Sequence, residues 1–69
     1  MDAMHSDEAN RLMAEISALL EDAHELAIAG QSSKLPENEI KVLAAEIKDN
    51  IRLIEGLADK ILALPYIGP

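Results

Sequence analysis

The chain contains no cysteine, phenylalanine, tryptophan or threonine, and only one valine and one tyrosine. Without cysteine there are no disulfides, no thiolate zinc sites and no thiol nucleophile. With Tyr66 as the single aromatic, any core must be aliphatic, assembled from Leu, Ile, Ala and Met. The scarcity of Val and Thr argues against a sheet. Basic residues are also few: six Lys and Arg stand against 13 Asp and Glu, for a net charge of −7. Proteins that bind nucleic acid neutralise phosphates with Lys and Arg, so no direct contact with DNA or RNA is expected. No apolar run approaches the roughly 20 residues that cross a bilayer, so no membrane partner is expected either. The first residues, Met1-Asp2-Ala3-Met4-His5, lack the basic and apolar regions of a secretory signal. A soluble, cytoplasmic protein is the expectation.

What the chain does have is periodicity. Ile40, Ile47, Ile54 and Ile61 lie seven residues apart, and Leu43, Leu57 and Leu64 follow three of them by three residues. This is a heptad seam, the pattern of a helix packed along another helix. Earlier in the chain, Ala9, Leu12, Met13, Ile16, Leu19, Leu20, Ala23, Leu26 and Ala27 form a stripe three positions wide per heptad. That width suits a bundle helix better than a narrow two-stranded coil.

The punctuation between the two patterns sets the topology. Ser6 is suited to cap a first helix over about 6–29, with Asp7 and Glu8 in its first turn and Gly30 as its C-cap. Gln31 to Lys34 form a polar loop. Pro36 opens a second helix over about 36–64, which Pro65 terminates. Leu35 and Ile40 are placed for a hydrophobic staple if Pro36 occupies the cap position. So short a loop makes the helices antiparallel neighbours. The expected fold is therefore all-α, an antiparallel two-helix hairpin that dimerises into a four-helix bundle. Residues 1–5 form a flexible leader and 65–69 an apolar tail. Pairing about the loop centre, with residue numbers summing to about 65, sets Asp22 or Glu25 near Lys41, Glu15 near Lys48 or Arg52, and Arg11 near Glu55.

Sixty-nine residues without a disulfide or metal staple usually need oligomerisation or unusually good packing. The C-terminal half of the second helix points the same way. Leu53 and Leu62 flank the seam of Ile54, Leu57, Ala58 and Ile61, so apolar positions span more than half the circumference. A hairpin supplies only one neighbour for such a helix. The interface is expected to comprise Leu12, Ile16, Leu19, Ile47, Asn50, Leu53, Ile54, Leu57, Ile61, Leu62, Leu64 and Tyr66. Asn50 interrupts the seam; it either sits near a symmetry axis, bonded to its mate or to water, or rotates to reach solvent. Gly56 either permits a close helix crossing or lies on an exposed face.

Chemistry is harder to find. Glu21 and His24 have the Glu-x-x-His spacing of bundle metal ligands. At 100° per residue, however, both point away from the seam, and no metal site or cofactor is expected. Glu8, Glu15 and Asp22 form an acidic band, thickened by Glu21 and Glu25. It reads first as a solvated face and second as a docking strip for a basic partner. No Ser-His-Asp set, phosphate loop or catalytic carboxylate pair can be assembled, and so small a hairpin has no deep pocket. The expectation is a non-catalytic, self-associating interaction module acting as adaptor or regulator. The alternatives are a chaperone or anti-activator that buries its apolar face against a different protein, an acidic nucleic-acid mimic, and a carboxylate/His metal protein assembled by dimerisation.

Overall fold

A computed structural model describes residues 3–65, with side chains over 7–65. It shows two helices, α1 (Ala3–Ala29) and α2 (Glu37–Leu62), packed against each other as a hairpin, with no strand among the described residues. The all-α hairpin is thus the fold of this chain. No helix is long and apolar enough to cross a membrane among the described residues. Tyr66, the last of the expected interface residues, lies outside the described residues.

The ends of the helices differ from expectation. α1 begins at Ala3, so Ser6 lies inside the helix rather than at its cap, and residues 3–5 of the expected leader are helical. Ala3 and Met4 are good helix formers, and no Pro or Gly stands between them and Ser6 to stop propagation. At the other end, Gly30 is not in the left-handed conformation of a glycine C-cap; no glycine among the described residues has positive φ. The carbonyls of Leu26, Ile28 and Ala29 instead accept from Gly30, Gln31 and Ser32 in successive right-handed turns. Gly30 is half-buried, and a Cβ there would stand 3.7 Å from Leu43 Cδ1, an ordinary contact.

Pro36 does occupy the N-cap of α2, with φ −63° and ψ 154°, and its carbonyl accepts from Glu39 and Ile40 N–H. Proline has no polar side chain with which to cap, but Glu37 and Glu39 lie in the first turn, where the helix dipole favours negative charge. Ser32 Oγ accepts from Lys34 N–H and steadies the loop. α2 ends at Leu62, short of the expected 64. Pro65 disfavours helical φ/ψ at Leu64 as well as lacking its own N–H, so the chain leaves the helix before reaching it.

The packing seam alternates by three and four residues on both helices. Half-buried or buried positions are Ala9, Leu12, Ile16, Leu19, Ala23 and Leu26 on α1, and Leu43, Ile47, Asn50, Ile54, Leu57 and Ile61 on α2. Ile40 belongs to the same heptad series yet is 38% exposed. It overhangs because α1 has already ended opposite Leu43. The register is displaced from the loop-centred one by roughly one to two helical turns. Asn50 meets Leu19, whereas the loop-centred register sets Glu15 opposite it, a turn earlier along α1.

Candidate interaction surface

Each helix carries a seam row facing the other helix and two flanking rows, and in an antiparallel pair like rows meet on the same side. The two sides of this hairpin are chemically different. On one side lie two adjoining hollows. The first, of about 550 Å³, is lined by Asp22, Glu25 and Leu26 of α1 and by Glu46, Asp49 and Asn50 of α2. Four carboxylates share this cleft. The second, of about 510 Å³, is lined by Glu15, Ala18 and Leu19 of α1 and by Arg52, Leu53, Gly56, Leu57 and Lys60 of α2.

This placement corrects the expected ion pairing. Asp22 and Glu25 share a cleft with Glu46 and Asp49 rather than pairing with Lys41. Among the described residues the ion pairs run within single helices: Arg11 with Glu8, Arg11 with Glu15 at 4.0 Å, and Lys41 with Glu37 at 3.6 Å. Arg11 therefore serves α1 rather than Glu55 of α2. Its hydrogen bond to Glu8, reinforced by that carboxylate's charge, raises the guanidinium above its ordinary range. The Glu15 expectation fares better, since Glu15 and Arg52 line the same hollow. Burial of the Leu and Ile rows decides which faces meet; exposed charges, worth under about 1 kcal/mol per pair, do not decide the register but follow it.

Within the hairpin Asn50 is part-buried and reaches the other helix. Its Nδ2 donates to the Leu19 carbonyl across the hairpin, at 3.3 Å. The amide thus finds a partner within its own chain, which lowers the cost of a polar residue in the seam. Gly56 makes no close crossing: a Cβ built there has nothing within 4 Å. The glycine widens the second hollow beside Leu53 and Leu57.

The expected interface residues divide into two groups. Leu12 is the one buried hydrophobic residue among the described residues, at 4% exposure. Ile16, Leu19, Ile47, Asn50, Ile54, Leu57, Ile61 and Leu64 are half-buried, most of them along the seam. Leu53 and Leu62 stand clear of it, Leu62 at 82% exposure. Met13, Leu20, Ile28, Val42 and Ile51 are also exposed. All five fall outside the interface expected from sequence, although Met13 and Leu20 belong to the expected stripe of α1. Ile51 directly follows Asn50, and the heptad arithmetic that marks Leu20 as stripe marks it too.

Glu21 and His24 are both exposed and line a shallow groove with Ser17, Leu20 and Glu25, all from α1. No α2 side chain joins them there. Among the described residues no group of three or more His, Cys, Asp or Glu is arranged to hold a metal ion. No protein-family model matches the chain, and neither the curated proteins nor the solved structures yield a match.

Proposed function

We propose that this chain is a small, non-catalytic protein–protein interaction module that associates with itself as a homodimeric four-helix bundle. The observation that carries the reading is the imbalance between burial and apolar content. Among the described residues the hairpin buries one hydrophobic residue, Leu12, and leaves eight large ones exposed, from Met13 to Leu62. Single apolar residues scattered over a surface are ordinary, but three of the eight, Met13, Leu20 and Ile51, occupy corresponding rows on one side of the hairpin, the arrangement that marks an association surface. The three-wide stripe of α1 supports the same reading, because two antiparallel helices occupy only the central rows. As adaptor or regulator, the dimer would present its acidic outer surface to further proteins.

The test is the solution mass of the untagged protein by light scattering over a dilution series, with circular dichroism on each sample. A strongly helical species of twice the chain mass of 7.5 kDa is expected, persisting to about 1 µM. A weakly helical monomer would overturn self-association and turn attention to the chaperone-like alternative, in which a different protein covers the apolar face.

A further inference from the structure

Resting on the self-association reading, we infer which face of the hairpin the second copy covers: the one formed by Met13, Leu20 and Ala27 of α1 with Ala44, Ile51 and Ala58 of α2. Asn50 and Leu19 are in contact across the seam. The residues that follow them, Ile51 and Leu20, turn to the same side, and the same position recurs seven residues away on each helix. All six residues are apolar. The three large ones are about half exposed in the free hairpin: Met13 at 55%, Leu20 at 53% and Ile51 at 45%. Leu20 and Ile51 form a ridge at the centre, with Met13 and Ala58 on one side of it; on the other, Ala27 and Ala44 leave space into which a like ridge fits.

The opposite side is charged: Asp22, Glu25, Glu46 and Asp49 share one cleft there, and Glu15, Arg52 and Lys60 line the hollow beside it, so a second copy seated on that side would have to desolvate ionisable groups of both signs. The six apolar positions contain no ionisable group. Size agrees as well. With Gly30 beside Leu43 and Leu19 beside Asn50, the helices pair over roughly 30 Å, and two helices are about 20 Å across, giving a face on the order of 600 Å². That is the lower end of what each partner buries in a stable dimer. A second copy is the occupant that matches the pattern, because both helices carry the same seam-plus-one stripe that a four-helix core requires and the chain supplies two of the four.

The experiment uses two double variants of the full chain, L20K/I51K and L20E/I51E, with Leu53→Glu as a control on the carboxylate-bearing side. Each double variant alone is expected at half the parent's solution mass. Mixed one to one, the two are expected to regain the parent's mass and helicity, because opposite charges now meet across the face. This readout holds even if each variant alone is poorly folded. Leu53→Glu is expected to remain a dimer. Double variants that stay dimeric alone, or that fail to recombine when mixed, would overturn the choice of face and leave self-association standing, as would a monomeric Leu53→Glu. A parent protein that is itself monomeric would overturn both.

Discussion

Asn50 and Gly56 are the two residues in α2 that a helix designer would replace, and the structure gives each a different account. Gly56 has open space around its missing Cβ and no positive φ. Gly56→Ala should therefore raise stability by about 1 kcal/mol through helix propensity alone, moving the melting temperature up by roughly 4–8 °C. Thermal melting by circular dichroism checks this; a fall would mean that the hollow beside Leu53 must stay open. Asn50 is bonded to the Leu19 carbonyl. Asn50→Leu should raise the denaturant midpoint, since apolar burial outweighs one neutral hydrogen bond. It should also broaden the distribution of solution masses, because a seam of Leu and Ile alone no longer distinguishes registers one heptad apart. A single mass species with unchanged midpoint would show that the amide does neither.

Between the elements, the carboxylate cleft is the least favourable contact. Asp22 and Glu25 on α1 share it with Glu46 and Asp49 on α2. Glu46→Lys removes one repelling charge and supplies a partner for Asp22. The expected gain is about 0.5–1 kcal/mol at low salt, shrinking as salt screens the pair. Urea denaturation at two ionic strengths measures it; an equal gain at both would assign the effect to something other than charge. The same cleft shows why cross-hairpin pairs are misassigned when read from the sequence. A heptad repeat looks the same after a shift of seven residues, so the seam is legible while its register is not. The loop settles the register: Gly30 comes to Leu43, and flanking charges are carried to wherever that leaves them.

For the whole molecule, the decisive quantity is apolar surface left uncovered. A dimer closed over apolar rows is held by burial rather than by charge. Its solution mass should be unchanged between low salt and about 0.5 M salt, since salt screens ion pairs without weakening apolar contact. Dissociation on adding salt would mean that charged rims carry the association. The acidic cleft, on the opposite side, would then remain outward in each copy, consistent with a net charge of −7 that keeps assemblies apart.

The sequence by itself determined the two helices, their antiparallel order and the rows that pack. These depend on local propensity, on Pro36 and Pro65, and on a repeat that can be counted directly along residues 40–64. The outward placement of Glu21 and His24 followed from helical geometry in the same way. Tertiary structure alone decided the register, the partner of Asn50 and the meeting of four carboxylates in one cleft. The physical reason is common to all of these: each depends on how far one helix slides along the other. That sliding coordinate is periodic in the seam and is fixed only when the loop closes and both helices are in place.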